Sequence, residues 1–401
     1  MHVLIVPSWY PTADSPILGG FFRDQALALS SAGMKVGVIS PWLRSLKHFP
    51  QAKKTWTKKR TVYDDNDVLT YCANSWNWSY KLKRLRAHHW LLLGRQLFKE
   101  YISEQGLPHV IHAQSALLGG LLAYSLSEKY GIPFIVTEHS TRFSRELVSD
   151  YEKGLCARVF NKSNKNLAVS PSLAHLLSTL FPSVSQPWQW LPNCLDHIFE
   201  QSSIFNEESM DDSSVRRARN NEKQGEIRFL NIGMLTPKKG QDFLIRTFSS
   251  SFGTGSSVEL IIGGDGPIRE QLEKTIAETK MRKTVRLLGP LSKQEVLKEM
   301  LDADVFVLPS HHETFGVVLI EALACGKPVI ATACGGPECI VTPDNGLLIE
   351  AGNTKQLSDA LRYMQQNLSR YSAPSLRQEC LNRFSSASLA SRLREIYDDV
   401  L

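Results

Sequence analysis

Two carboxylates eight positions apart, Glu313 and Glu321, dominate the segment His311-His312-Glu313-Thr314-Phe315-Gly316-Val317-Val318-Leu319-Ile320-Glu321. One acid precedes a helix expected over about 315–324 and the other lies inside it. Gly326 stops that helix, and Pro328 leads into a buried strand, Val329-Ile330-Ala331. From Val317 to Glu321 the helix axis rises only about 6 Å, so the two acids could address two parts of one elongated polar ligand. Upstream, Asp304-Val305-Phe306-Val307-Leu308-Pro309-Ser310 reads as a buried strand feeding the loop. Open α/β sheets bind their ligands at the carboxyl ends of such strands.

Phosphate chemistry is suggested by three glycine-bearing loops that follow expected strands: 233–240, 263–267 and 335–338. Glycines there let an anion approach backbone N–H groups near a helix N-terminus. The first of these loops ends in Lys238-Lys239-Gly240, a cation suited to a diphosphate. Arg269 breaks any GxGxxG reading, and no GxxxxGK[ST] occurs, so nicotinamide and P-loop chemistry lose their best support. In the first half, Ile111-His112-Ala113-Gln114 and Thr137-Glu138-His139-Ser140 close two strands, with His112 and Gln114 on one face. No acidic pair or cysteine cluster accompanies them, and no metal site is expected.

The elements that must carry these residues alternate strand and helix in both halves. Val3–Val6, the helix Phe21–Ser31 after Gly19-Gly20, and the strand Val36–Ile39 open the chain. A long helix over 81–100 carries Leu82, Leu85, His89, Leu92 and Gln96 on one stripe. Strands at Val110–His112, Pro133–Glu138 and Asn166–Ser170 follow, and Pro171 opens a further helix. Residues 200–226 turn polar and charged, as a linker or surface excursion would. Strands then recur at Ile227–Ile232, Val258–Ile262, Val285–Leu288, Val305–Leu308 and Val329–Ala331, and an amphipathic helix Leu389–Leu401 closes the chain. Such alternation in both halves predicts two doubly wound parallel sheets.

A length of 401 residues accommodates two α/β domains. The net charge of +6 suits an anionic substrate or surface. Seven cysteines, an odd number without paired spacing, fit a reducing compartment. Met1-His2-Val3-Leu4-Ile5-Val6-Pro7 reads as a first strand and not as a signal peptide, and no uncharged stretch reaches the ~18 residues of a membrane span. A cytoplasmic protein, at most peripheral to the inner face of the membrane, is expected.

Taken together, the chain resembles the glycosyltransferases of family 4. The resemblance spans nearly the whole length and is carried most specifically by Glu313–Glu321 with Phe315-Gly316. Gly19-Gly20, His112, His139, Ser170-Pro171-Ser172, Pro192-Asn193 with Asp196, Lys239-Gly240 and Gly264-Asp265-Gly266-Pro267 support it in order and spacing. It implies the GT-B fold: an α/β protein of two Rossmann-like doubly wound parallel-sheet domains with an interdomain cleft. The acceptor domain would be 1–197, a polar linker 198–226 and the nucleotide-sugar domain 227–384, with 385–401 crossing back to the first domain.

The implied reaction is transfer of a sugar, with retention, from a UDP- or GDP-sugar to a saccharide or lipid-linked acceptor in cell-surface polysaccharide or glycolipid synthesis. No cofactor, metal or nucleic acid is implied. By family role Lys239 would hold the diphosphate, Glu313 the sugar hydroxyls and Glu321 the ribose. Thr314, Phe315, Gly316 and Val317 would line the donor from the helix side, and Gly233, Gly264, Asp265 and Gly266 from the glycine loops. Gly20 would lie near the phosphates, and His139 near the reacting carbon. Two departures stand out: Met234 where the family commonly has Arg, and Gln114 where many members read His-x-His.

On the acceptor side, His112, Gln114, Trp78, Lys81 and Arg84 are candidates. Residues 76–90 mix Trp76, Trp78, Tyr80 and Trp90 with Lys81, Lys83, Arg84 and Arg86; with Lys53, Lys54, Lys58, Lys59 and Arg60 they could grip an anionic membrane or a lipid diphosphate. The competing account of this stretch is a solvated helix with a core stripe. Two other readings compete for the whole chain: a nucleotide-sugar epimerase of the same fold, and a non-catalytic module that binds sugar nucleotides.

Overall fold

The structure, a computed structural model, describes residues 1–12, 18–44, 60–77, 82–202, 227–253 and 257–401. The expected linker from 203 to 226, the basic residues Lys53, Lys54, Lys58 and Lys59, and Trp78, Tyr80 and Lys81 lie outside the described residues. The chain forms two compact units, one of Met1–Cys194 with Ser386–Leu401 and one of Leu195–Ser385. All seven cysteines are free. Among the described residues no helix is long and apolar enough to cross a membrane.

The first unit is built on a sheet of order β3-β4-β2-β1-β5-β6-β7-β8. Its strands are β1 (His2–Pro7), β2 (Lys35–Arg44), β3 (Arg60–Asp65), β4 (Val68–Trp76), β5 (Val110–Gln114), β6 (Phe134–Glu138), β7 (Lys165–Ala168) and β8 (Trp188–Trp190). All neighbours run parallel except the β3–β4 hairpin. That hairpin turns at Asn66-Asp67, both with positive φ (51° and 64°), as a type I′ connection requires. β1 and β5 pair with Ile5 opposite His112, and the chain leaves them in opposite directions across the sheet. β1 carries four consecutive apolar residues with no exposed surface, the signature of a strand covered on both faces. The last helix, Ser386–Asp398, buries Leu389, Leu393 and Tyr397 in the same core as Val3, Ile5, Phe22 and Leu29.

The second unit holds an all-parallel sheet of order β11-β10-β9-β12-β13-β14. Its strands are β9 (Ile227–Ile232), β10 (Val258–Gly263), β11 (Val285–Gly289), β12 (Val305–Leu308), β13 (Val329–Ala333) and β14 (Gly346–Glu350). From β9 the chain winds outward to β11, then returns to β12 on the other side. The order therefore reverses between β9 and β12, and the crevice at their carboxyl ends is where such sheets take ligands.

The expected core stripe of the long helix is corrected. The helix spans Lys83–Gln105, and Leu82, Leu85 and Leu92 are exposed. Its buried face is instead Trp90, Leu97, Phe98 and Tyr101. Both stripes satisfy a period of 3.6 residues, and only the face that meets the sheet distinguishes them.

Candidate functional site

The switch point of the second sheet gathers most of the donor-side residues that the sequence singled out. β9 ends at Ile232, and the chain runs through Gly233, Met234 and Leu235 into a one-turn helix, Pro237–Lys239. β12 ends at Leu308, and the loop 309–316 leads to the helix Val317–Ala324. That helix starts two residues later than expected, because Gly316 takes φ +99° as its N-cap. One tie holds these loops side by side, His311 N–H donating to the Lys238 carbonyl at 2.7 Å, and a second fastens the β12 loop to β13, where Thr332 Oγ1 donates to the Ser310 carbonyl.

The result is an ion pair between Lys239 Nζ and Glu313 Oε1. Both side chains are largely shielded, and Glu313 is 8% exposed. A lysine and a carboxylate with so little water around them each need the other in the absence of ligand. Gly240 follows Lys239 at φ +70°, where a Cβ would run into the carbonyl oxygen of Pro309. Only glycine lets the lysine-bearing turn lie this close to the β12 loop.

The glycine loops hold a correction. Their amides were expected to be bare for phosphate, yet Gly233 N–H donates to Gly263 O at 3.0 Å and Gly264 N–H to Gly289 O at 2.7 Å. These groups knit adjacent strand ends together. At Gly264, φ is +133° and a Cβ would collide with the Gly233 carbonyl. Asp265 keeps an exposed side chain while its carbonyl accepts from Leu235 N–H at 2.9 Å, beside Gly266. Backbone donors remain at the N-terminus of Val317–Ala324, since a helix's first N–H groups have no intrahelical acceptor and carry the positive end of its dipole.

Phe315 is buried, 2% exposed, with its ring edge-on to Phe384 at 5.8 Å, so it presents only backbone to a ligand. Thr314, Val317 and Glu321 are half-buried. Met234, which stands where a second cation was expected, is 60% exposed, and its carbonyl accepts from Gln241 Nε2.

In the first unit, the loops after β5 and β6 meet around a buried polar chain. His139 Nε2 lies 2.7 Å from Gln114 Oε1, and Gln114 Nε2 donates to Gln25 Oε1 at 2.5 Å. Because Gln114 offers a carbonyl oxygen, Nε2 of His139 must carry the proton. Burial holds the His139 imidazole down at about 3, with His112 adding to the effect and the Asn193 side chain opposing it. The ring stacks on Phe21 at 5.3 Å and meets Phe22 edge-on at 4.8 Å. It is neutral in the physiological range. Gly20 opens the helix that supplies Phe21, Phe22 and Gln25.

His112 is corrected from acceptor-side residue to core cross-link. It has no exposed surface, and its two ring nitrogens lie 2.7 Å from Tyr397 Oη and 2.7 Å from Thr137 Oγ1. Burial drives its pKa down to about 3. Arg84 is exposed on the first turn of the long helix and lies 4.2 Å over the Tyr151 ring.

Glu138 was passed over as part of a strand end. Its buried carboxylate accepts three backbone N–H groups at 2.9 Å each, from Ala116, His139 and Ser140. Burial pushes its carboxyl up, against those donors. It fixes both loops that present His139. The legible signal was an acid at the buried end of a strand directly before the histidine. Gln25, on the helix facing the same site, carried no signal beyond being a polar residue among apolar ones.

Comparison with known proteins bears on both units. Residues 21–198 match the family described as Glycosyltransferase Family 4, and residues 212–375 match the one described as glycosyl transferases group 1. The putative teichuronic acid biosynthesis glycosyltransferase TuaC of Bacillus subtilis is 26% identical over 374 residues, 92% of this chain and 90% of that one. Sucrose-phosphate synthase from Thermosynechococcus elongatus superposes with a TM-score of 0.78 at 18% identity, covering 100% of this chain and 99% of that one. HepE of Anabaena, solved in complex with UDP and glucose, superposes with a TM-score of 0.70 at 17% identity and covers 100% of each chain.

Proposed function

The chain belongs to the family 4 glycosyltransferases and has their GT-B fold, and from that premise we propose that it transfers a sugar, with retention, from a nucleoside-diphosphate sugar to a saccharide or lipid-linked acceptor. The observation that carries this reading is the Lys239–Glu313 pair at the switch point of the second sheet. A cation there suits a diphosphate, and a shielded carboxylate beside it suits sugar hydroxyls.

In the proposed reaction the bond between the anomeric carbon and the diphosphate oxygen breaks, and a bond to the acceptor oxygen forms on the same face. The acceptor proton passes to the departing phosphate. The leaving group gains negative charge as the bond breaks, and Lys239 with the N-terminus of Val317–Ala324 stabilises that charge. Lysine and backbone donors can meet the diphosphate without a metal, so activity is expected to survive chelation. Glu321, one turn into the same helix, is assigned the ribose hydroxyls. In the first unit, His139 is a neutral ring held by Gln114; it is assigned a place near the reacting carbon and does not act as an acid.

The proposed donor is a UDP- or GDP-sugar: HepE was solved with UDP and glucose, and a GDP-mannose-dependent mannosyltransferase is 34% identical over 134 residues. For the product, TuaC's description points to a cell-surface polysaccharide. Exposed Leu82, Leu85 and Leu92 alongside Arg84 and Arg86 fit peripheral contact with an anionic bilayer at the cytoplasmic face.

Calorimetric titration with UDP, GDP and ADP, followed by the matching sugar nucleotides, tests the reading. One preferred nucleotide, weakened by Glu321→Ala and followed by transfer with retention in an NMR assay, is the expected result. Absence of binding to all three overturns it.

A further inference from the structure

The helix Val317–Ala324, whose N-terminus is assigned the diphosphate, has only eight residues and no basic side chain in its last turn. Groups outside it must answer its C-terminal carbonyls and fix where it sits along its axis. A second helix, Ala373–Phe384, does both. It runs antiparallel to the first, and residues 373, 377, 380 and 384 form the stripe that meets it. The Phe384 ring stands edge-on to Phe315 at 5.8 Å, and Cys380 Sγ–H donates to the Ile320 carbonyl at 3.2 Å. Arg377 Nη1 donates to the Ala324 carbonyl at 2.6 Å. Ala373 lies so close to Gly326 that a Cβ on that glycine would come within 2.7 Å of the alanine methyl.

Of these four contacts, the arginine's is the directional one. Ring and methyl contacts tolerate sliding, whereas a planar guanidinium holds its acceptors at fixed angles. Its remaining bonds lead to a second anchor. Nη1 also donates to the Phe199 carbonyl at 2.9 Å and to Ser202 Oγ at 3.2 Å, and Nη2 donates to the Glu200 carbonyl. Phe199 and Glu200 belong to the short helix His197–Glu200, so the C-terminal ends of two helices converge on one cation. That short helix is itself held: the Asp196 carboxylate accepts Ile198 N–H at 3.0 Å and pairs with Lys293, and Leu195 N–H donates to the Phe384 carbonyl at 2.8 Å.

We propose that Arg377 is a positioning residue for the transfer, setting the axial position of the donor helix without touching the donor. From Ala324 back to Val317 the axis runs about 10 Å, and a helix this short moves as a rod. Slack at the Ala324 carbonyl is therefore slack at the amides that meet the diphosphate. This inference rests on the diphosphate assignment made above.

The test uses the full chain and calorimetric titration with UDP and GDP, well below the melting temperature, with a melting curve for each sample. Arg377→Met removes the fork and keeps the stem; Arg377→Lys keeps the charge without the fork. Arg228→Met is the control, since Arg228 opens the other end of the same sheet among Glu299 at 3.5 Å and Glu259 and Asp302 at 3.9 Å. Wild type is expected to bind at least one nucleotide, and Arg377→Met to bind it about tenfold or more weakly. Arg377→Lys should recover part of that loss. Arg228→Met should melt earlier yet bind as wild type does. Unchanged affinity in Arg377→Met, or an equal loss in Arg228→Met, overturns the positioning role, because a merely structural arginine moves the melting temperature alone. Should Arg377→Met fail to fold, Arg377→Lys decides against the same control. Wild type that binds neither nucleotide overturns the donor site and this inference with it, whereas wild-type binding that Arg377→Met leaves intact overturns this inference alone.

Discussion

At the level of single residues, the ion pair between Lys239 and Glu313 sets up a competition. In the ligand-free chain the lysine's charge is answered by a carboxylate, and a diphosphate must share or replace that partner. Glu313→Gln keeps the shape and removes the competitor. Bare nucleoside diphosphate is then expected to bind as tightly as to wild type or up to about tenfold more tightly. Turnover is expected to fall about 10- to 100-fold, the worth of one charged hydrogen bond to the sugar. Calorimetry and steady-state kinetics on the one variant check both. Weaker nucleotide binding would mean that Glu313 supports the lysine and does not compete for it. The type and order of Glu313, Lys239 and His139 were visible in the sequence; their partners were not. Glu138, Gln25 and the double engagement of His112 depend on which strands lie side by side, and no single residue type announces that.

Between residue and domain, the connections after strands carry the site, and their tolerance to substitution differs sharply. Gly240→Ala forces a Cβ against the Pro309 carbonyl at a left-handed φ. The expected cost is about 2 kcal/mol or more, read as a lower melting temperature of the second unit with weakened nucleotide binding. Gly233→Ala is the control, since its Cβ would meet only Lys239 side-chain carbons at 3.9 and 4.0 Å. Equal stability of the two variants would mean that the turn is not held against the β12 loop.

The strands that flank this site were legible because they are covered on both faces and read as apolar runs. β14 was not, since it opens on a glycine and is only partly buried. The β3–β4 hairpin was missed for a related reason: β3 is polar and mostly exposed, although Asp65-Asn66-Asp67 held a turn signal. Helix Lys83–Gln105 was found while its buried face was misjudged, since amphipathic period alone does not say which stripe meets the sheet.

For the molecule as a whole, acid should act first on the unit that contains His112 and His139. Both are held near 3, below the ordinary 6.5 of an unfolded imidazole. The unfolded chain therefore takes up protons first as pH falls. The stability contributed by neutral burial is complete above 6.5 and drains between 6.5 and about 3, by up to about 1.4 kcal/mol per pH unit for each ring. Denaturant melts at pH 7.5 and 5 are expected to show a clearly less stable first unit at the lower pH; coincident curves would contradict it. Removal of Ser386–Leu401 is expected to be harsher. It strips Leu389, Leu393 and Tyr397 from that core, at about 2 kcal/mol or more each, and leaves His112 short of a partner. Calorimetry on the truncated chain should show the first unit's transition lost and the second unit's retained. The same feature has a consequence for synthesis on the ribosome. The second unit is one unbroken stretch, 195–385, and can close as soon as it emerges. The first unit draws on both flanks of that stretch, so residues 1–194 must wait, incompletely packed, until the helix Ser386–Asp398 has been made.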